Sequence, residues 1–331
     1  MNILKKLMQF QELNENEAQE FARLLFSDEL AAADKTALLV AMKMKQESAK
    51  ELTAITHYLI NSNYPVQPRL AGSMCVCGTG GDGVGSFNIS TTVSFIVASA
   101  GVKVLKHGNK GITSKSGGVD LLDALGIAIT PIEAVARRME VVNLAFLSAM
   151  NTYPMMRVLQ PIRQLIPLPT LFNLMGPMIH PYALDYQMMG VFDASKVALV
   201  AQTLFNLGRK RALVIHGAGG MDEASLAGEN LIYEINAQDG VRHYSLEAKD
   251  YGLKSADNAA LKGGTSAENK EITLAILGCE DKSARRDVVL LNAGLALYIA
   301  EKAPTVAEGI ALALSIIERG EALELLRFLQ E

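Results

Sequence analysis

The sequence predicts an α/β protein with two parts: a small all-helical N-terminal domain and a larger α/β domain with a central, mainly parallel sheet. Three observations carry that expectation. Residues 1–60 hold helical periodicity and no strand signal. From Met74 onward, short apolar strands alternate with helices over short links, the pattern of a sheet covered on both faces. The segment from Pro154 to Pro181 then breaks the alternation with six prolines around a helical stretch at Met155–Leu165.

In the first region, Leu4, Leu7 and Met8, then Ala18, Phe21, Leu24 and Leu25, recur at three- and four-residue spacings. Lys35–Lys45 is rich in the helix formers Ala, Leu and Met. Ser48–Leu59 makes a fourth helix, ended by the turn Asn61-Ser62-Asn63-Tyr64-Pro65. The alternating region predicts strands at Met74–Cys77, Val102–Leu105, Leu144–Ala149, Gln187–Phe192 and Ala212–Ile215. Between them it predicts helices at Thr91–Ala100, Val119–Leu125 and Ser195–Leu207. Leu231–Leu246 reads as two antiparallel strands about Asp239-Gly240. The end is helical: Ala267–Leu277, Val288–Glu301, Val306–Glu318 and Leu323–Gln330. The proline-rich stretch is expected to leave the sheet and pack on the N-terminal helices. That gives a helical domain of 1–66 joined by a discontinuous segment of about 154–182, and an α/β domain of 67–153 and 183–331. A cleft between two such parts is a frequent place for a small ligand.

With 331 residues, half of them hydrophobic and a fifth charged, the chain has ample material for a core. Its net charge of −4 argues against a nucleic-acid-binding surface. The longest apolar run, around Thr91–Val104, is broken by Ser94, Ser99, Gly101 and Lys103 and falls short of the ~20 residues that span a bilayer. The N-terminus lacks the apolar core of a signal peptide, and cysteine is sparse, so the cytoplasm is expected. Cys75 and Cys77 alternate with apolar residues and should share one buried face of a strand.

The strongest chemical signal is Cys77-Gly78-Thr79-Gly80-Gly81-Asp82-Gly83-Val84-Gly85-Ser86-Phe87-Asn88-Ile89-Ser90-Thr91. Five glycines in eight residues follow a strand and lead into a helix, so backbone N–H groups can approach an anion closely. The spacing fits neither a nucleoside-triphosphate loop nor a dinucleotide fingerprint. A second glycine- and lysine-rich loop runs from Lys106 through His107, Gly108, Asn109, Lys110, Gly111, Ile112, Thr113, Ser114, Lys115 and Ser116 to Gly118. It follows the next strand, and Lys106, Lys110 and Lys115 would place positive charge beside the first loop. His107 alone is more simply a structural residue. A third piece, His216-Gly217-Ala218-Gly219-Gly220-Met221-Asp222-Glu223, ends in adjacent carboxylates, which suit Mg²⁺.

On these segments, with Phe172-Asn173-Leu174-Met175-Gly176-Pro177, the chain resembles anthranilate phosphoribosyltransferases, in the wider group that includes thymidine and pyrimidine-nucleoside phosphorylases. The resemblance implies the nucleoside phosphorylase/phosphoribosyltransferase-like fold and transfer of a phosphoribosyl group from 5-phosphoribosyl 1-pyrophosphate (PRPP) to anthranilate, a step of tryptophan biosynthesis. It implies a PRPP site at Gly78, Gly81, Asp82, Ser86, Asn88, Ile89, Ser90 and Thr91, continued by Lys106–Ser114 and Gly118. Anthranilate would meet Gly78, Asn109 and Arg163, with His107 nearby, and Mg²⁺ would meet Ser90, Asp222 and Glu223. A homodimer through the helical domain is implied too, and no covalent catalytic residue. Four positions depart from the family: Lys110 where arginine is usual, Gly118 where serine is, Tyr153 for histidine and His180 for asparagine. The alternatives are a pyrimidine-nucleoside phosphorylase-like enzyme, whose phosphate loop Lys115-Ser116-Gly117-Gly118 faintly echoes, and a non-catalytic nucleic-acid-binding relative.

Overall fold

The computed structural model describes residues 2–111, 115–166 and 168–331. Four helices come first: α1 (Asn2–Met8), α2 (Glu15–Phe26), α3 (Ala32–Lys45) and α4 (Ala49–Asn63). Capping boxes start α2, from Asn14 and Glu17, and α4, from Ser48 and Glu51. Helix α4 runs one turn beyond the expected stop, because Asn61 to Asn63 still tolerate helix and the barrier is Pro65. Glu51 is fully buried, and its carboxylate accepts from Lys45 Nζ (2.6 Å) and from the Leu13 (2.8 Å) and Ser48 (2.8 Å) N–H groups. A charge so completely partnered is tolerated in a core.

The sheet and its helices follow: β1 (Ser73–Gly78), α5 (Ile89–Ser99), β2 (Lys103–Gly108), α6 (Gly118–Leu125), α7 (Val135–Val141) and β3 (Leu144–Ser148). Three short helices, α8 (Ala149–Thr152), α9 (Gln160–Gln164) and α10 (Leu171–Met175), make the crossover; the helical stretch expected at Met155–Leu165 is a 3₁₀ turn, Pro154–Leu159, running into α9. The chain returns through β4 (Tyr186–Gly190), α11 (Val197–Asn206), β5 (Arg211–His216), β6 (Asn230–Asn236) and β7 (Gly240–Leu246). It ends with α12 (Ser266–Leu277), α13 (Ala284–Ile299), α14 (Val306–Glu318) and α15 (Glu321–Gln330).

The seven strands are ordered β3-β2-β1-β4-β5-β6-β7; the first five are parallel, and β6 and β7 add an antiparallel edge. Period-two alternation sorts the strands' side chains between two cores. Met74, Val76, Val104, Phe146, Met188 and Leu213 face α5 and the C-terminal helices. Cys75, Cys77, Leu105, Leu147, Met189 and Val214 face the other way, onto α7 and α11. The two cysteines therefore share one buried face, both as free thiols. A third core joins Phe21, Leu25, Leu39, Met42, Leu52 and Leu59 of the N-terminal helices to Tyr153, Leu159, Ile162, Phe172 and Met175 of the crossover. The order of strands reverses at β1, with β2 on one side and β4 on the other. The crevice outside the carboxyl ends of such strands is where open α/β sheets bind ligands.

Candidate active site

Glycines let three chain segments meet at that crevice. Gly78 and Gly190 end β1 and β4 as register partners. The turn from Gly217 to Glu223, after β5, folds back across both: a Cβ on Gly78 would lie 2.2 Å from Asp222 Oδ2, one on Gly190 1.6 Å from the Asp222 carbonyl, and one on Gly217 2.0 Å from the Glu223 carbonyl. Only glycine permits this approach. Asp222 Oδ2 then accepts the Gly80 N–H at 2.6 Å, fastening the acidic turn to the first loop. Within that loop Gly80, Gly81, Gly83 and Gly85 all take positive φ. Phe192 packs on the Gly81 backbone, and its N–H points at the Thr79 hydroxyl (3.4 Å).

Carboxylates crowd here. Loss of solvent, then the nearby Asp82 charge, raises Asp222 to about 7, against the pull of the Gly80 N–H. Burial, then Asp222, raises Glu223 to about 8, while Lys106 and the Ser90 hydroxyl draw it back. Asp82 Oδ2 is buried with no hydrogen-bond partner among the described residues. Negative charge is thus under-compensated, and every candidate ligand is a hard oxygen. Among the described residues no three His, Cys, Asp or Glu side chains form a complete metal cage. Two acids with Ser90, leaving the remaining positions to phosphate oxygens and water, fit Mg²⁺.

Lys106 is buried, and Nζ donates to the Val76 carbonyl (2.8 Å) and the Ser90 hydroxyl (3.0 Å), tying the end of β2 to β1 and the start of α5. Of the three lysines expected to place positive charge beside the first loop, Lys106 turns inward onto Ser90 of that loop, Lys110 pairs with Asp123 at 3.6 Å in solvent, and Lys115 is exposed. The second loop closes on Asp120, whose Oδ2 accepts both Gly111 and Gly117 N–H groups at 2.8 Å. Gly117 is packed so tightly that a Cβ would lie 2.3 Å from the Gly111 nitrogen. Asn109 Oδ1 accepts the Lys110 N–H (2.9 Å), and the position of a Cβ on Gly118 lies 3.3 Å from the Thr91 hydroxyl. Ile112, Thr113 and Ser114 lie outside the described residues. The two loops are joined by Asn88, whose Nδ2 donates to the Ser116 carbonyl at 3.1 Å. Ile89, the first residue of α5, is buried in the core, and Ser86 bridges to Lys262.

His107 faces the crossover. The Thr152 hydroxyl donates to the Ser148 carbonyl (3.0 Å), so it receives the His107 Nε2–H (2.7 Å). Burial, then the neighbouring Lys106 charge, lowers His107 to about 4. Its ring meets Tyr153 and His180 edge-on. His180 is fully buried, accepting the Tyr182 N–H on Nδ1 (3.0 Å) and donating from Nε2 to the Leu105 carbonyl (3.1 Å). Both departures at 153 and 180 are therefore packed interior residues. Arg163, on α9, makes no direct bond to any of these groups. It is half-buried, reaches only Asn173 Oδ1 (3.5 Å), and has no carboxylate partner among the described residues. Burial lowers its pKa accordingly.

Sequence reasoning did not single out the close approaches of Gly190 and Gly217, nor the strap at 261–264. That strap pairs with the first loop through Phe87 N–H to the Leu261 carbonyl (3.1 Å) and Gly263 N–H to the Gly85 carbonyl (2.9 Å). Its signal was Gly263-Gly264-Thr265, a glycine pair before a helix cap. Two shallow clefts, near Arg211 and Lys302 and between Val141 and Phe328, lie by the amino ends of the strands and hold none of these residues.

A helical bundle set against an α/β domain, with a glycine loop and an acidic turn at the strand switch, defines a two-part glycosyltransferase. Residues 1–62 match the helical bundle domain of the glycosyl transferase family, and residues 71–323 match its a/b domain. The chain is 52% identical over 323 residues to anthranilate phosphoribosyltransferase of Staphylococcus haemolyticus, spanning 98% of this chain and 96% of that protein. It is also 52% identical over 324 residues to the enzyme of Staphylococcus aureus strain Newman, spanning 98% of each. The chain belongs to the anthranilate phosphoribosyltransferase family. The crystal structure of the Thermus thermophilus enzyme superposes with a TM-score of 0.92 at 36% identity, covering 100% of this chain and 98% of that one. The Saccharomyces cerevisiae enzyme in complex with PRPP and Mg shares the fold, with a TM-score of 0.88 at 24% identity over 98% and 95% of the two chains.

Proposed function

We propose that this chain transfers the phosphoribosyl group of PRPP to anthranilate, giving N-(5-phosphoribosyl)anthranilate and pyrophosphate in tryptophan biosynthesis. The observation that carries the reading is the acidic turn docked on Gly78 and Gly80, which sets hard oxygen ligands beside an open helix N-terminus. The identity to anthranilate phosphoribosyltransferases supports the choice of acceptor.

The first loop binds the diphosphate through its backbone N–H groups and the N-terminus of α5, with Ser90 and Thr91 adding hydroxyls. Ser90, Asp222 and Glu223 would hold Mg²⁺, which when bound supplies positive charge to stabilise pyrophosphate as a leaving group. Lys106 fixes the Ser90 hydroxyl from behind. Arg163, with no carboxylate partner among the described residues, offers its guanidinium to the anthranilate carboxylate through charge-assisted hydrogen bonds, and Gly78 and Asn109 align the ring. The aniline nitrogen is neutral near pH 7, so no side chain is required as a nucleophile. The chain works in the cytoplasm as a homodimer through the helical domain, where Met8, Phe10 and Met44 present exposed apolar side chains. No helix among the described residues is long and apolar enough to cross a membrane.

The fluorescence of anthranilate tests this directly. It should decay when PRPP and Mg²⁺ are both present and persist when either is withheld; persistence with both present refutes the assignment. In the same assay Arg163→Ala should raise the anthranilate KM roughly 10- to 100-fold, the worth of a charge-assisted hydrogen bond, and spare the PRPP KM. Equal loss toward both substrates removes Arg163 from the acceptor site.

A further inference from the structure

Helix α5 begins with an asparagine that does not cap it. Asn88 occupies the N-cap position, yet its side chain makes no cap hydrogen bond. At the longer helices α2, α4, α12 and α14 the cap side chains Asn14, Ser48, Thr265 and Thr305 each accept an N–H of their own first turn, whereas Ser148 and Thr170, before the short α8 and α10, do not. The Asn88 amide is instead held from two sides. Its Nδ2 donates to the Ser116 carbonyl (3.1 Å), and its Oδ1 accepts from Asn269 Nδ2 (2.9 Å) and, at the longer distance of 3.4 Å, from the Ser116 hydroxyl. Asn269 lies on α12, is 1% exposed, and its own Oδ1 accepts the Gly264 N–H at 2.9 Å. Those bonds fix both amide orientations, because the Ser116 carbonyl needs a donor and the Gly264 N–H an acceptor. One turn further along both helices, Thr273 and Thr92 share a buried hydrogen bond at 3.1 Å. The strap before α12 is equally committed: a Cβ on Gly263 would lie 2.6 Å from Phe87 Cα.

We propose that Asn269 is a positioning residue that keeps the N-terminus of α5 open for the diphosphate by holding the Asn88 amide away from it. The inference rests on the phosphoribosyl-transfer reading of the site. A capping asparagine would spend its Oδ1 on the N–H of Ser90 or Thr91, the donors an anion at this helix end must use. Diverting Oδ1 to Asn269 leaves them to the ligand, and the same bridge sets Ser116 and the second loop beside them. Released from Asn269, Asn88 becomes an intramolecular competitor for the substrate.

Calorimetric titration of the full chain with pyrophosphate and Mg²⁺ tests this. Asn269→Leu should raise the pyrophosphate Kd about fivefold, the factor an asparagine cap is worth, and should raise the PRPP KM while leaving the anthranilate KM in place. In an Asn88→Ala background, which has no competing cap, Asn269→Leu should add nothing. Thr273→Val removes the neighbouring contact between α5 and α12 and should lower Tm without changing the Kd. Asn269→Asp keeps the acceptor for Gly264, so it reports the same direction should the leucine variant fail to fold. An unchanged Kd, additive effects in the double variant, or equal rises in both KM values overturns the role. If the wild type binds pyrophosphate but transfers nothing to anthranilate, the acceptor assignment fails and the Asn269 comparison stands. If it binds no pyrophosphate, both fall.

Discussion

The two loops at the sheet crevice are held by different means. The first, Gly78–Thr91, is fastened along its length by backbone contact: Asp222 from the turn after β5, Phe192 from the end of β4, and the strap at 261–264 all bear on it. Among its described residues the second is secured largely by side chains. Lys106 and His107 turn inward at one end, and one carboxylate, Asp120, gathers Gly111 and Gly117 at the other. Between those anchors Lys110 faces solvent. A loop fixed by its backbone has geometry to lose when a glycine changes; a loop whose lysine faces solvent has only charge to lose when that side chain changes. The first kind of loss is large and the second small.

The largest effect should come from Gly190→Ala. Its Cβ would lie 1.6 Å from the Asp222 carbonyl, so the acidic turn must lift from β4 and withdraw its bond to Gly80. We expect a stability loss of about 1–3 kcal/mol, as for an overpacked core, together with a fall in kcat/KM for PRPP. Urea unfolding and steady-state kinetics read the two. Normal activity at normal stability would show that the turn does not need its seat on β4, and the contrast between the loops would lose its basis.

How much of this was legible beforehand depended on range along the chain. The first loop could be read as an anion site because glycines, caps and a following helix lie within one stretch of sequence. The seven strands and the antiparallel edge were legible because period-two burial is written locally in runs such as Met74–Cys77. What could not be read was which distant segments touch. That Gly190 and Gly217 are glycine because residues 222 and 223 cross over them is a fact of tertiary approach. The inward turn of Lys106 was hidden similarly, since in sequence it is one of three lysines and only the fold sets it against Val76 and Ser90. The neutral state of His107 also follows from partners in the crossover.

A middling effect is expected at His107. Burial holds its pKa near 4, below the 6.5 of an unfolded histidine, so between those values the unfolded chain binds more protons. The stability this histidine contributes is therefore full above about pH 6.5 and is lost as pH falls toward about 4. His180, lowered by burial and then by His107, acts in the same direction. His107→Gln keeps a donor for Thr152 and cannot titrate, so its unfolding free energy should fall less steeply than the wild type's across that window. Guanidinium unfolding at a series of pH values provides the comparison, and parallel slopes would mean that His107 is charged in the folded protein.

The smallest effect should follow Lys110→Ala. Lys110 pairs with Asp123 at 3.6 Å and has a side chain 68% exposed. An exposed pair of that kind contributes about 0–1 kcal/mol, and salt screens it. Its ammonium has no planar fork with which to grip a phosphate in two places. The substitution should leave Tm nearly unchanged and raise the PRPP KM by less than about fivefold. That rise should shrink as ionic strength increases, because what is lost is a solvated charge near an anion. A rise of about a hundredfold that salt does not diminish would place Lys110 on the substrate. Lys110 would then be a substrate contact rather than a solvated charge, and the second loop would have as much to lose from a side chain as the first has from a glycine.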